Sequence, residues 1–248
     1  MRLAGKVAIV TGGGSGFGAG IVQAFADEGA SVLVVDRDGA AAERVAAAIG
    51  PAARAFTADV AKAAEVEAMV DAAQRQHGRL DIVVNNAGVG HLPAPLETID
   101  DETFDRIAAV NMRAIYLAAR YAVPGMKAAR AGVILNIAST GGVSPRPNLT
   151  WYNASKAWVI GATRGMAIEL APFGIRVNAI NPVAGETPLL ATFMGGDTEE
   201  NRKRFVGSIP LGRLSTPHDI AMAALFLCSD EASLVTGIAM EVDGGRCI

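Results

Sequence analysis

A phenol and an ammonium stand four residues apart in "YNASK", Tyr152 to Lys156, within an alanine-rich amphipathic stretch. On a helix that spacing puts both side chains on one face. A free phenol titrates near pH ~10 and exchanges protons poorly at neutrality. A neighbouring positive charge favours phenolate and moves the group towards the range where acid–base catalysis is efficient. Taken alone, the pair equally fits a surface tyrosine beside a solvated lysine. Ser139 follows the apolar run "ILNIA" and precedes Tyr152 by a loop, "GGVSPRPNL", able to bring it back to the same helix. Its hydroxyl reads either as a turn residue or as a hydrogen-bonding group for a substrate carbonyl. Asn111 lies in "AAVNMRAIY", where asparagine is a mediocre helix former; a hydrogen-bonded helix defect is expected there, compatible with a functional role.

A second group of residues suits a dinucleotide. "TGGGSGFG" (Thr11 to Gly18) follows one apolar run and opens an amphipathic one. Glycines permit a tight turn and close approach to a pyrophosphate, whose charge a helix N-terminus favours. The spacing, with Gly12, Gly16 and Gly18, departs slightly from the usual fingerprint; Ser15 and Phe17 fill the positions between. Asp36 ends the next run, and a carboxylate there accepts both ribose hydroxyls of NAD and repels a 2′-phosphate. Arg37 follows and is a candidate for that phosphate or for the adenine face. With a serine in the glycine loop, NAD is expected in preference to NADP. "NNAG" (Asn85 to Gly88) ends a further run and reads either as a capped turn or, through Asn86, Ala87 and Gly88, as cofactor contacts.

These residues need elements to hold them. Seven short β-branched runs read as strands: Lys6–Thr11, Ser31–Asp36, Ala53–Asp59, Leu80–Asn86, Gly132–Ser139, Gly174–Pro182 and Ile238–Gly245. Their near-continuous hydrophobicity suits a parallel sheet covered on both faces. Helical patterns alternate with them at about Gly16–Glu28, Ala40–Ile49, Ala64–His77, Asp101–Tyr121, Tyr152–Ala171 and Pro217–Cys228. The alternation predicts right-handed βαβ units and a doubly wound α/β sheet in one domain spanning 1–248. Half the chain is apolar, 51%, and 19% is charged, as in a well-buried globular protein. A net charge of −3 leaves no footprint for nucleic acid, and no apolar run approaches a membrane span. "MRLAGKVAIVTGG" lacks the features of a signal peptide. Cys228 and Cys247 offer neither a disulfide framework nor metal spacing. A soluble, cytoplasmic protein without a metal is expected.

Taken together and in order, Thr11–Gly18, Asp36, Asn85–Gly88, Asn111, Ser139, Tyr152 and Lys156 resemble the short-chain dehydrogenase/reductase family over essentially the whole chain. The resemblance implies a Rossmann-type sheet of seven strands in the order 3-2-1-4-5-6-7 and a homotetramer. It implies Tyr152 as the group that gives or takes the substrate proton, and Lys156 holding the nicotinamide ribose and lowering the Tyr152 pKa. It further implies Ser139 orienting the substrate oxygen and Asn111 holding a relay water. Asp59 with Val60 match the adenine-contacting pair. Pro182 keeps its place after the sixth strand, but Val183 stands where the family commonly has glycine. Gly185 comes two positions later, ahead of Thr187, and these two are expected at the nicotinamide carboxamide. Phe17 replaces a more usual isoleucine.

A small secondary alcohol and its ketone are the expected substrates. The expected pocket comprises His91, Thr140, Gly141, Val143, Leu149, Leu189, Leu190, Phe193 and Met194, with 186–209 as a substrate lid. Two alternatives remain. A 3-oxoacyl thioester reductase resembles the chain closely, but only Arg130 of the basic carrier-docking pair is present, Phe173 standing at the other position. A catalytically silent nucleotide-binding protein is disfavoured by the intact Ser139, Tyr152, Lys156 and Asn111.

Overall fold

The computed structural model describes all 248 residues, the side chains of Gln76 and His77 excepted. The β-branched runs form strands β1 (Val7–Thr11), β2 (Ser31–Asp36), β3 (Ala53–Thr57), β4 (Ile82–Asn85), β5 (Gly132–Ile137), β6 (Ile175–Pro182) and β7 (Ala239–Val242). They pair in parallel in one sheet, as the sequence pattern predicts, in the order β3-β2-β1-β4-β5-β6-β7 that the family resemblance implies. Alternate residues of a strand face opposite sides. Ala8 and Val10 of β1 accordingly join one apolar core and Val7 and Ile9 the other.

Helices cover both faces: α1 (Gly16–Asp27), α2 (Gly39–Ile49), α3 (Ala63–His77), α4 (Asp101–Ile107), α5 (Ala114–Ala129), α6 (Thr150–Leu170), α7 (Leu190–Met194), α8 (Glu199–Val206) and α9 (Pro217–Cys228). Helices α1 and α9 approach so closely that a Cβ at Gly20 would lie 2.8 Å from the Cβ of Pro217. No helix among the described residues is long and apolar enough to cross a membrane.

The sequence-derived bounds shift in three places. The helix expected over Asp101–Tyr121 is divided by a π-helical turn, Ala108–Arg113, and continues through Pro124 to Ala129. The third strand stops at Thr57, because Asp59 begins a turn: its N–H donates to Glu65 and its carboxylate accepts from Ala61 N. The 186–209 segment carries α7 and α8, separated by Gly195 and Gly196 at φ of 71° and 125°. It has a small core of its own around Val183, Leu190, Met194, Phe205, Ile209 and Leu214.

Strand order reverses between β1 and β4, so their carboxyl ends diverge into the crevice where open α/β sheets take ligands. Thr11 clasps the two ends: its hydroxyl donates to Val84 O and accepts from the N–H groups of Asn86 and Ala87.

Candidate active site

A cavity of about 340 Å³ opens along the carboxyl edge of the sheet. At one end lies the glycine loop, with Gly12, Ser15, Gly16 and Phe17 in the wall. Gly12 and Gly16 have φ of 64° and 52°, a left-handed conformation that costs glycine little. The side-chain amide of Asn86 donates to Thr11 O and Gly12 O at 2.8 and 3.1 Å, which pins the loop. Gly18 lies outside the cavity wall; a Cβ there would sit 2.0 Å from Gly12 O. Ser15 caps α1 with extended backbone and makes no side-chain capping bond, so its hydroxyl and the first amides of the helix remain able to meet an anion.

Asp36, Arg37, Asp59 and Val60 form the adjoining wall. The Asp36 carboxylate accepts from Gly14 N and Asp38 N, both at 3.0 Å. These bonds fix its orientation, and a carboxylate has about four acceptor positions, so two remain for a diol.

At the other end, α6 carries Tyr152 and Lys156 to the same wall as Ser139, Ala87 and Gly88. Lys156 is buried; its Nζ donates to Ile137 O at 2.8 Å and lies 5.9 Å from the Tyr152 ring centroid. Ser139 Oγ accepts from Gly141 N at 3.0 Å and hydrogen-bonds the phenol. Burial pushes Tyr152 up to about 12, against the opposing effect of the Ser139 bond. Burial also brings Lys156 down to about 8. The expectation that Lys156 lowers the phenol is therefore corrected for the protein's own groups: desolvation disfavours both charged forms, and the ammonium makes its hydrogen bond to a backbone carbonyl.

Asn111 sits in the π turn, 1% exposed. Its Oδ1 accepts from Val89 N, and its Nδ2 donates to Val89 O and Ser155 Oγ. The amide thus ties the turn both to the loop that follows Gly88 and to α6. A Cβ on Gly88 would lie 3.4 Å from Lys156 Nζ and 3.6 Å from Asn111 Oδ1, so these groups converge.

Of the expected pocket, Thr140, Gly141, Leu149, Leu189, Leu190 and Phe193 line the cavity, as do Pro182, Gly185 and Thr187. Phe193 packs on the Tyr152 ring at 4.7 Å. Three residues lie elsewhere. Val143 is 46% exposed, beyond the turn that follows Ser139. Met194 faces the inner core of the 186–209 segment, because α7 turns its opposite side to the cavity. His91 is buried with Nδ1 against Leu92 O, outside the wall. Sequence reasoning missed Arg146, Asn153 and Phe205, which do line it. Arg146 sits in a proline-flanked loop and Phe205 in a charged helix, where nothing local signals a pocket.

The two departures after β6 and in the glycine loop explain each other. A Cβ on Gly185 would lie 2.3 Å from the Phe17 ring and 2.7 Å from Ser215 Oγ. The larger ring at 17 fills the space that a side chain at 185 would need.

Comparison with known proteins follows this geometry. The family described as Enoyl-(Acyl carrier protein) reductase matches residues 12–246. The chain is 49% identical to 4-formylbenzenesulfonate dehydrogenase of Comamonas testosteroni over the full length of both. It is 39% identical to galactitol 2-dehydrogenase of Agrobacterium fabrum over 99% of each. A crystal structure of 3-ketoacyl-(acyl-carrier-protein) reductase from Brucella melitensis, complexed with NADH, superposes with a TM-score of 0.95 at 56% identity, covering 99% of this chain and all of that one.

Proposed function

Because the chain belongs to the short-chain dehydrogenase/reductase family, we propose that it interconverts a small, free secondary alcohol and its ketone with NAD, Tyr152 acting as general acid and base. The observation that carries this reading is that Ser139, Tyr152 and Lys156 share one cavity with the glycine loop and Asp36. The residues suit the dinucleotide: Gly12, Ser15, Gly16 and Phe17 for the phosphates, Asp36 for the ribose diol, and Asp59 and Val60 for adenine. Asn86, Ala87, Gly88, Pro182, Gly185, Thr187 and Lys156 surround the place for the nicotinamide end, and Arg37 flanks the adenine. The cofactor, when bound, supplies the hydride carrier and, in its oxidised form, a positive charge beside the phenol.

Tyr152 gives its proton to the ketone oxygen in reduction and takes it back in oxidation. A phenol raised by burial rests protonated, ready for reduction; oxidation requires it to ionise beside the Lys156 ammonium. Ser139 holds the substrate oxygen next to the phenol. The Asn111 amide is already engaged by Val89 and Ser155, so it acts by fixing the π turn. A relay water then falls to backbone carbonyls that the altered i→i+5 pattern frees. We assign the 186–209 segment as a lid of this single domain, hinged at Gly195 and Gly196, with Phe193 closing over Tyr152.

The preference for NAD rests on the fixed Asp36 carboxylate and is supported by the NADH-bound neighbour. The relatives' names span an aromatic sulfonate, a polyol and a carrier-bound acyl group, so the family alone does not choose the substrate. The mostly apolar wall of Leu149, Leu189, Leu190 and Phe193 favours a free alcohol or ketone. The 56%-identical neighbour favours a second reading, a 3-oxoacyl thioester. Against it, Arg130 donates to Pro172 O, and Phe173 lies under the Lys127 ammonium at 4.4 Å, leaving no second docking cation at 173. A homotetramer is supported by exposed Ile168, Trp158, Leu234 and Ile248, and a cytoplasmic location by two free cysteines. Light scattering on the purified protein tests the former.

The deciding experiment is NADH consumption with a panel of small ketones, cyclic ketones, keto-sugars and a β-ketoacyl thioester. Turnover of free ketones with the thioester inert is expected. Turnover of the thioester alone would replace this reading with the second.

A further inference from the structure

Arg146 lines the substrate end of the cavity, and two further arginines from separate parts of the chain, Arg246 and Arg204, lie close enough to repel it, none of the three in an ion pair. Arg146, between Ser139 and α6, is part of the wall. Its guanidinium carbon lies 4.1 Å from the Phe205 ring centroid, and Nη2 donates to Ser208 Oγ at 3.1 Å. Its carbonyl accepts from Nδ2 of Asn153, the residue after Tyr152, at 2.8 Å, which anchors the loop beside the reacting centre. Arg246, near the C-terminus, donates from Nη1 to Ser144 Oγ of the same loop, while its buried Nε has no partner. Arg204 of α8 is the third; it is exposed and donates from Nη2 to Asn201 Oδ1 at 3.1 Å. Desolvation, together with the charges of Arg246 and Arg204, lowers the proton affinity of Arg146.

Several other guanidinium groups are matched by acceptors. Arg2, Arg79, Arg202 and Arg213 each pair with a carboxylate. Arg176, partly buried without one, donates to three backbone carbonyls. Among the described residues Arg146, Arg204 and Arg246 form no ion pair. The neighbouring Asp243 carboxylate is engaged by the N–H groups of Gly245 and Cys247. Gathering like charges in a partly dry site is unfavourable, and an anion entering it relieves that cost through charge-assisted hydrogen bonds.

We propose that Arg146, backed by Arg246 and Arg204, binds an oxyanion carried by the substrate itself, a carboxylate or sulfonate remote from the reacting carbon. The substrate is then a small keto or hydroxy compound with an apolar body, seated against Leu149, Leu189 and Phe193, and an acidic end. This deepens the alcohol–ketone reading above and rests on it for the position of the reacting carbon. Because Arg146 touches Phe205 and Ser208, the anion also joins the loop after Ser139 to the lid.

The test compares 4-acetylbenzoate and 4-acetylbenzenesulfonate with neutral 4-methylacetophenone, using the full-length protein and NADH. The wild type is expected to favour the charged ketones in kcat/KM. Arg146→Gln should cut the charged-to-neutral ratio by about 10- to 100-fold, the range for a lost hydrogen bond to a charged group, mainly through KM. Arg146→Lys should restore part of it, and Arg246→Gln should show a smaller loss. Independently of turnover, benzenesulfonate should raise the melting temperature of the wild type but not of Arg146→Gln.

A ratio near one in the wild type, or an equal fall on charged and neutral ketones in Arg146→Gln, would overturn the proposal and leave the alcohol–ketone reading standing. Benzenesulfonate binding through Arg146 without turnover of any ketone would keep the anion site but overturn the alcohol–ketone reading, and with it the assignment of the anion to a keto substrate. If only acetoacetyl-CoA responds to Arg146→Gln, the anion belongs to a thioester's phosphates and the small-substrate form is overturned.

Discussion

The two ends of the cavity are built by opposite means. At the nucleotide end, side chains serve the backbone: Asn86 holds Thr11 and Gly12, Thr11 holds Val84, Asn86 and Ala87, and Asp36 holds Gly14 and Asp38. All of these come from turns at the ends of adjacent strands. At the substrate end, side chains from four distant segments meet one another. Phe193 rests on Tyr152, Arg146 on Phe205, and Arg246 reaches Ser144. On the proposed reading, the first end, pinned by these bonds, receives a constant ligand. The second depends on a segment with its own small core, joined to the rest by few contacts, and can change specificity without disturbing the sheet. Local stability is lowest where buried apolar contacts are few, which suits the lid proposed for this segment.

The sharpest way to break the comparison is at the point both ends share. Tyr152→Phe should lower turnover by about 10²- to 10⁴-fold, the usual worth of a general acid–base group, while NADH binding measured by fluorescence persists. Turnover near that of the wild type would remove Tyr152 from the mechanism. Asp36→Ala should change only the nucleotide end. Relief of a repulsion of about 1–4 kcal/mol between charges near a surface predicts at least about a fivefold swing in kcat/KM from NADH towards NADPH, with ketone preference retained; an unaltered cofactor ratio would mean that Asp36 does not face the ribose.

Phe193→Ala should change only the substrate end. Losing an aromatic contact worth about 0.5–1.5 kcal/mol predicts a several-fold rise in ketone KM with the NADH dissociation constant unmoved. A comparable loss in NADH affinity would show that the two ends are not separate.

Gly185→Ala probes the seam between them. Overpacking against the Phe17 ring should cost about 1–3 kcal/mol, read as a fall in denaturation midpoint. Phe17→Ile in the same chain should recover most of it; additive losses in the double-mutant cycle would separate the two residues.

The smallest effect is a pH dependence of stability. Lys156 is brought from 10.5 to about 8 by burial, so between those values the unfolded chain binds more protons than the folded one. Stability then rises with pH, over a window from about 8 to 10, before Tyr152, raised to about 12, acts in the opposite sense. The melting temperature of the wild type relative to Lys156→Met should climb across that window; a flat difference would place Lys156 nearer water than its burial implies.

Beyond the strand order, which the family resemblance supplied, the sequence by itself determined the parallel sheet and the residues of the candidate nucleotide end. Those features are written in local chemistry: β-branched runs, glycines at a strand-to-helix turn, a carboxylate at a strand end. It also put Tyr152 and Lys156 on one face, because helical spacing alone does so. Tertiary structure decided everything that depends on non-local approach. It divided the helix at Asn111, whose amide found partners on Val89 and Ser155. It reversed the expected shift of the phenol, since burial is a property of the assembled fold. It moved His91, Val143 and Met194 out of the wall and brought Arg146, Asn153 and Phe205 into it. A side chain's type is local, whereas its neighbours are set by where separate segments pack, and arginines as far apart in the chain as Arg146, Arg204 and Arg246 came within reach of one another only after the molecule had folded.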